Sequence, residues 1–229
     1  MLKKKLVVLT GAGISAESGL QTFRDNDGIW ENHRIEDVAT PEAWQRDPRL
    51  VLKFYNMRRR ACVAAQPNAA HYALAALEQH FEVVIITQNI DDLHERAGSS
   101  NVLHLHGEIT KMRSDRDEDQ LYPYDRDILV GDKALDGGQF RPHVVWFGEP
   151  VPNIDIAFPL VSNWAEIVVL IGSSLAVYPA AGLLQHAPAH IPKYVLDKKI
   201  PEIGALQNVI KIEEVATRAI VRLLDMLIG

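Results

Sequence analysis

Short, almost wholly apolar runs punctuate the chain, and longer stretches with apolar residues every three to four positions lie between them. The runs at 6–9, 83–87, 102–105, 167–171, 194–196 and 209–212 read as strands apolar on both faces, hence buried on both. Helical spacing marks 49–65, 69–80, 180–186 and 213–226. The last of these opens on Glu213 and Glu214, acids suited to the positive end of a helix dipole. Such alternation predicts an α/β fold: a Rossmann-like parallel sheet with helices on both faces. Two stretches break it. Residues 31–65 are helical and charged, and 109–141 are polar, glycine-containing and without clear period. Both read as insertions that together form a small lobe. The Rossmann-like domain is left with 1–30, 66–108 and 142–229, and a ligand cleft is expected between the two parts.

Composition narrows the function classes. A 229-residue chain that is 47% hydrophobic can bury a sizeable core, and its formal charge of -6 argues against general nucleic-acid binding. No apolar run approaches the roughly eighteen residues that cross a membrane. The start, "MLKKKLVVLTGAGISA", imitates a secretion signal. Its apolar run is only about four residues long before polar Thr10, so it reads as the first strand of a cytoplasmic protein. Cys62 is the single cysteine. It excludes an intramolecular disulfide and a thiolate-rich metal site, and suits a reducing compartment.

Candidate chemistry gathers at strand ends. Gly11-Ala12-Gly13-Ile14-Ser15-Ala16 fits the G-x-G-x-x-G/A loop that seats a dinucleotide pyrophosphate on a helix N-terminus. A hydride-transferring enzyme should then show a second strand and an acid about twenty positions on. Here the next good strand waits until Val83, so the loop calls for other chemistry. Phe23 and Arg24 can cover a ligand and neutralise its charge, or be a core ring and a surface cation. Gln88, Asn89 and Asp91 bring amide and carboxylate groups to a strand end, where they can read hydroxyls and a carboxamide. Asn89 or Asp91 can equally cap the next helix. In "NVLHLHGEI", His104 and His106 share a face if strand alternation persists. His106, just before Gly107, can open on a cleft and titrate near neutrality. His71 looks like a core histidine. The extended segment "RPHVVWFGEP" is either an edge for an added peptide strand or a buried strand. Gly172-Ser173-Ser174 end another strand. Asp197 ends one too, where a carboxylate can bond both ribose hydroxyls and repel a 2′-phosphate, favouring NAD over NADP.

Taken in order, "GAGISAESGLQTFR", "QPNAAHYALAALE", "TQNIDDLHERAG", "LHGEI", "RPHVVWFGE" and "IGSSLAVYP" resemble the sirtuin family of NAD-dependent protein deacylases along nearly the whole chain. The resemblance implies that NAD is held so that its nicotinamide is displaced, not reduced. Beside the loop glycines Gly11 and Gly13, it puts Ala12, Ile14, Phe23, Asn89, Ile90 and Asp91 around the nicotinamide, and Arg24 near the phosphates. Gln88 and His106 would face the nicotinamide ribose, with His106 and Asn89 as catalytic residues. Gly172, Ser173 and Ser174 would hold the phosphate and adenosine side, with Asp197, commonly Asn in the family, on a ribose. Val144, Val145, Trp146 and Phe147 would pair with the substrate backbone. The implied reaction has the acyl-lysine amide oxygen attack the ribose carbon, away from water, with His106 as general base. Its products are nicotinamide, free lysine and O-acyl-ADP-ribose.

Two local features refine the resemblance. The family's paired zinc cysteines align with Ser114/Asp117 and Lys133/Asp136, so no structural zinc is expected. The lobe would then rely on packing and on charge pairs such as those in "RSDRDEDQ", a run that reads equally well as a solvated loop. Tyr55 and Arg58 lie three apart on a predicted helix and share a face. In the family a Tyr-x-x-Arg pair marks enzymes that prefer acidic acyl groups such as succinyl and malonyl, with some deacetylation retained. A guanidinium can fork onto the acyl carboxylate while the phenol donates a second bond. The plainer alternative puts Arg58 on a solvated basic face with Arg59 and Arg60. Expected partners are acyl-lysine proteins or peptides, and the chain is expected to be a monomer. Two rival functions stay open: an NAD-dependent ADP-ribosyltransferase and a non-catalytic NAD-sensing module. His106 beside Gln88, Asn89 and Asp91 argues against the second, because binding alone needs no general base.

Overall fold

The computed structural model describes residues 2–21, 29–30 and 33–229. Strand β1 (Lys4–Thr10) runs into two 3-10 turns, Ala12–Ile14 and Ala16–Ser18. A short hairpin of β2 (Ile29–Trp30) and β3 (His33–Arg34) precedes helices α1 (Ile35–Val38), α2 (Pro41–Arg46) and α3 (Pro48–Ala64). Helix α4 (Ala69–Leu77) leads to β4 (Phe81–Thr87), and α5 (Leu93–Arg96) to β5 (Val102–His104). Strands β6 (Gly107–Ser114), β7 (Leu121–Pro123) and β8 (Phe140–Val144) come next. Helix α6 (Ile154–Pro159) then continues as a π-helical turn, Leu160–Trp164, into β9 (Ile167–Ile171). The 3-10 segment Ala180–His186, β10 (Lys193–Asp197), β11 (Val209–Glu213) and α7 (Ala216–Ile228) complete the chain.

Six strands form one parallel sheet in the order β11-β10-β9-β1-β4-β5. Alternate side chains of each strand feed two cores. Leu6 and Val8 point with Val83, Ile85, Val169 and Leu196 toward α4 and α7. Val7 and Leu9 point with Val84, Ile86, Leu170 and Val195 toward α6 and the Ala180–His186 segment. This two-sided burial is why the strands read as continuous apolar runs. A third core joins α1, α2 and α3 to Ile90, Ile109, Val144 and Trp146.

Three expectations change. Glu213 ends β11 and α7 begins at Ala216 with no acid in its first turn, because ladder pairing with Asp197 holds Glu213 extended. The stretch 109–141 carries regular structure: β6, β7 and β8 form a separate antiparallel sheet. Helix α6 and its π turn have no counterpart in the periodicity, since Pro159 and the change of helical pitch scramble the apolar spacing.

Buried cations bind the structure together through backbone carbonyls. Arg59 is fully buried; its Nε donates to Ile109 O at 2.8 Å and its Nη1 to Asn56 Oδ1 and Arg126 O at 2.9 and 3.1 Å. Burial lowers its pKa to about 10. Asn56 in turn pairs both ways with the Ile128 backbone, stitching α3 to the segment after β7. Lys193, also fully buried, points its Nζ at the carbonyls of Pro188, Ile191 and Gln207 at 2.6, 2.9 and 3.2 Å. Lys193→Met would leave these acceptors unmet in the interior. It should lower unfolding stability by about 3 kcal/mol, read as an earlier urea midpoint at unchanged slope; a shift under about 0.5 kcal/mol would show that the carbonyls find other donors.

Candidate active site

The strand order reverses around β1: the chain first steps outward to β4 and β5, then returns to β9 on the other side. The loops after β1, β4 and β9 therefore meet at one crevice at the strands' carboxyl ends, the place where open α/β sheets hold ligands. A cavity of about 490 Å³ opens there. It is lined by Gly11, Ala12, Gly13, Gln88, Asn89, Ile90, Asp91, His106, Gly172, Ser173, Ser174 and Asp197. Its other end is lined by Tyr55, Arg58, Val144, Val145, Trp146 and Phe147. Ile14 departs from the set: it is fully buried in the core under α4 and α7. Phe23 and Arg24 lie outside the described residues.

The glycines have a cause that differs from the one the motif suggests. A Cβ on Gly13 would sit 2.6 Å from Gly172 Cα, and one on Gly11 2.8 Å from Gly172 O. Gly172, at φ +64°, would drive a Cβ to 2.3 Å from Ile14 N. Gly13 N also donates to Gly172 O at 2.8 Å. The glycines let the β1 and β9 loops touch backbone to backbone, and that contact shapes the crevice floor. The loop then folds as 3-10 turns, so no α-helix N-terminus follows it among the described residues.

A chain of polar side chains crosses this floor. Asn89 Nδ2 donates to Ser15 Oγ at 3.2 Å, and Ser15 Oγ donates to Asp91 Oδ2 at 3.1 Å. Asp91 Oδ1 takes the Leu93 N–H, the first of α5, at 3.2 Å; the N-cap position itself is Asp92, and Asp91 also lines the cavity. Burial pushes the Asp91 carboxyl up, against the bonds from Leu93 and Ser15. Gln88 Nε2 donates to Ser173 Oγ at 3.0 Å, bridging the β4 and β9 loops.

The two histidines of "HLH" separate because β5 ends at His104. His104 Nδ1 meets Asn89 O at 3.1 Å and Nε2 meets Glu95 Oε1 at 2.8 Å. Both partners are acceptors, so both ring nitrogens carry protons. Burial opposes that charge, but Glu95 outweighs it and holds the His104 pKa above its ordinary value. His106 instead donates from Nδ1 to Gln88 O at 2.9 Å, which leaves the Nε2 lone pair available on a cavity-lining ring. Burial holds its pKa below the ordinary value, against the Gln88 carbonyl. At neutral pH it is a base.

Behind the floor, Thr10 Oγ1 donates to Thr87 Oγ1 at 2.8 Å and meets His94 Nε2 at 3.0 Å. The His94 ring lies 4.9 Å from that of His71, whose Nδ1 accepts the Asn68 N–H in a capping box for α4. Burial lowers the His71 pKa to about 4 and holds His94 well below its ordinary value. An unfolded chain takes up these protons from about pH 6.5 downward, whereas the folded one does not. Stability is therefore full above pH 6.5 and falls as the pH drops toward 4, by about 3 kcal/mol for His71 alone. His71→Gln, which keeps an acceptor in the capping box, should flatten the fall of urea-unfolding free energy between pH 6.5 and 4.5. An unchanged slope would remove His71 from this account.

At the other end of the cavity, Tyr55 and Arg58 of α3 are both buried, Arg58 at 6% exposure. Arg59 is fully buried, and Arg60 alone of the three is exposed, paired with Asp127 at 2.6 Å. The solvated basic face is thereby replaced by a cavity-facing arginine, a carbonyl-binding one and a surface ion pair. Tyr55 lies against Phe54 and Trp146, with ring centroids 5.1 and 6.4 Å away. Strand β8 stops at Val144. Beyond it Val145 N donates to His106 O at 2.9 Å, Trp146 N to Glu149 Oε2 at 2.7 Å and Phe147 N to Ala39 O at 3.0 Å. These three amides are already engaged, so a peptide laid along 145–147 finds no free backbone N–H there. Trp146 is buried and Phe147 is 40% exposed.

The positions that align with the family's zinc cysteines are otherwise occupied. Ser114 Oγ bonds both Asp136 oxygens at 2.7 and 2.9 Å, Gly138 N donates to Asp136 Oδ1 at 2.8 Å, and Lys133 pairs with Gln139. Among the described residues no group of three or more His, Cys, Asp or Glu side chains is placed to hold a metal ion. This donor set does not fit a tetrahedral sulfur and nitrogen site.

Some cavity residues escaped the sequence reading. Ser15 sits inside the glycine motif and does not announce its bond to Asp91 on a distant loop; Glu149 sits inside "WFGEP" and does not announce its fork with Arg141. Ala39, Lys198 and Ala216 also line the cavity, through elements remote in sequence.

Comparison with known proteins follows the same contour. A profile described as the Sir2 family matches residues 11–179. An NAD-dependent protein deacylase of Helicobacter pylori is 52% identical over 225 residues, covering 98% of each chain. One of Bacteroides thetaiotaomicron is 49% identical over 231 residues, also covering 98% of each. Among solved structures, a Sir2 homolog–NAD complex superposes with a TM-score of 0.86 at 36% identity, covering 98% of this chain and 89% of that one. With the crevice, its histidine and its glycine contacts in the arrangement described, and matches that run end to end, this chain belongs to the Sir2 family.

Proposed function

We propose that this protein is an NAD-dependent protein-lysine deacylase that favours succinyl and malonyl groups and retains some deacetylase activity. The observation that carries the reading is the joint presence, in one cavity, of a neutral His106 and the buried Tyr55–Arg58 pair. The relatives' common activity supports the first half. The two small-residue loops fit a dinucleotide, since Gly11–Gly13 and Gly172–Ser174 keep the crevice floor free of bulky side chains. Bound NAD would supply the nicotinamide–ribose bond whose cleavage is coupled to acyl transfer from lysine.

This chain's residues do the rest. Asn89 and Asp91, fixed through Ser15, present a carboxamide and a carboxyl where the nicotinamide amide would sit. Gln88 and His106 face the adjoining ribose, and His106 Nε2 takes a hydroxyl proton there. Ser173, Ser174 and Asp197 serve the phosphate and adenosine side. Val144 to Phe147 align the substrate backbone, and the apolar walls of Ile90, Trp146 and Phe147 keep water from the reacting carbon. Arg58 and Tyr55 would meet an acyl carboxylate with up to three charge-assisted or phenolic bonds. The small lobe, read as 31–65 and 109–141, would stand without structural zinc, its Ser114–Asp136 bonds taking the place of metal ligation.

Incubation with NAD and matched acetyl-, malonyl- and succinyl-lysine peptides tests the reading by mass spectrometry. Nicotinamide, free lysine and O-acyl-ADP-ribose should appear, fastest from the acidic acyl groups. Adenine-labelled NAD leaving its label on protein would favour ADP-ribosyl transfer, and tight NAD binding with no nicotinamide release would favour a sensing module.

A further inference from the structure

Behind the acyl end of the cavity lies an ion pair that the reaction outlined above does not use. Arg141, on β8, is 6% exposed. It forks onto Glu149, with Nη1 to Oε1 at 2.7 Å and Nη2 to Oε2 at 3.2 Å, and Nη2 also donates to Val144 O at 3.0 Å. Its guanidinium carbon lies 3.2 Å from the centroid of the Trp146 ring. Glu149 in turn accepts the Trp146 N–H. A second buried arginine, Arg113, stands 3.9 Å from Glu149 and bonds Glu118 at 3.1 Å. Arg58 thus shares the cavity lining with Glu149, a half-buried carboxylate, and two buried guanidiniums, Arg113 and Arg141, lie within ion-pair distance of that carboxylate.

Trp146 links these charges to the acyl end: Arg141 and Glu149 both contact it, and its ring centroid lies 6.4 Å from that of Tyr55. Burial raises the Tyr55 pKa; against it Arg141 acts first and Arg58 second, and Glu149 reinforces the rise. Negative charge at the Tyr55 hydroxyl is therefore favoured by Arg141 and disfavoured by Glu149. An acyl carboxylate bound beside that hydroxyl would feel the same two signs, through surroundings that screen poorly.

We propose that the Arg141–Glu149 pair is a specificity determinant: the balance of its two charges sets how strongly the acyl pocket favours an anionic group over a neutral one. Neither residue touches the acyl group. Both act through Trp146, which they hold, and through the field at Tyr55 and Arg58. The inference rests on the reading of Tyr55 and Arg58 as the carboxylate contact.

The test is the ratio of kcat/KM for succinyl-lysine to that for acetyl-lysine on one peptide sequence. Glu149→Gln keeps acceptors for the Trp146 N–H and for one Arg141 N–H but deletes the negative charge, so the ratio should rise about threefold or more. Arg141→Met removes the positive charge that forks onto Glu149 and leaves it only the more distant Arg113, so the ratio should fall by about as much; Arg141→Lys keeps the charge and should return it toward the parent value. A merely structural clamp would scale both substrates together. Equal losses on the two peptides, or ratio shifts of the same sign for Glu149→Gln and Arg141→Met, would overturn the proposal. Should Arg141→Met not fold, the sign of the Glu149→Gln shift decides alone. A parent enzyme with no preference for succinyl would sink the Tyr55–Arg58 reading separately, because opposite-signed shifts are measured against whatever ratio the parent has.

Discussion

His106→Ala is expected to lower NAD-dependent deacylation by about a thousandfold on every acyl peptide, a loss typical of removing a positioned general base. The ring's polar contact is one bond from Nδ1 to the Gln88 carbonyl, so the fold should tolerate truncation and the melting temperature should move little. The pH profile separates chemistry from damage. The His106 pKa lies below the ordinary 6.5 because burial penalises the imidazolium, so the base form persists below neutrality. In the parent, activity should be level from neutrality downward and fall only at a pH under 6.5. In His106→Ala that acid limb should vanish from the residual activity. A variant as fast as its parent, or one that keeps the limb, would falsify the assignment of proton transfer to this ring.

Which features could be read from the residues follows from how local their causes are. All six sheet strands stood out as short apolar runs: β1, β4, β9 and β10 are buried on both faces, and the edge strands β5 and β11 keep an apolar run of their own. Strands β6 and β7 did not, since their sheet is small and partly exposed and its register slips between Gly107 and Met112; β8 was legible in part, as the extended segment that starts at Arg141. The glycines of the first loop were legible as a motif. Their cause was not, because it is a contact with Gly172 on the far side of β1. Asn89 and Asp91 could be either helix caps or ligand contacts; both line the cavity, and although Asp91 takes the first N–H of α5, the N-cap position there is Asp92. The arginines mislead most. A run of three suggests a wet surface, yet Arg59 is buried on carbonyls from Ile109 and Arg126, acceptors some fifty or more positions away. No local pattern encodes such partners; Glu149 has its partner Arg141 only eight positions back, yet the pairing depends on how the chain turns between them, with the guanidinium against Trp146.

Arg58→Met should cost desuccinylation about a hundredfold in kcat/KM while changing deacetylation by no more than about threefold. Truncating one partner of a desolvated charge pair typically loses 2–5 kcal/mol, because the surviving carboxylate is then buried without a counter-charge. An acetyl group has no such carboxylate to strand, and Met fills a comparable volume of the α3 face. Arg58→Lys should recover only part of the loss, since an ammonium cannot fork onto two oxygens. Tyr55→Phe should fall between, giving up one phenolic donor but leaving the apolar contact with Trp146. The measurement must separate kcat from KM. A carboxylate contact made equally in the bound substrate and the transition state raises KM alone, whereas one that also aligns the amide for attack lowers kcat as well. Because Arg58 lies in the same cavity as His106 yet on a different element, its loss leaves the proton-transfer step intact. The pH profile of Arg58→Met on acetyl-lysine should therefore superimpose on the parent's, and a variant that slowed both acyl substrates equally would return Arg58 to a purely structural role.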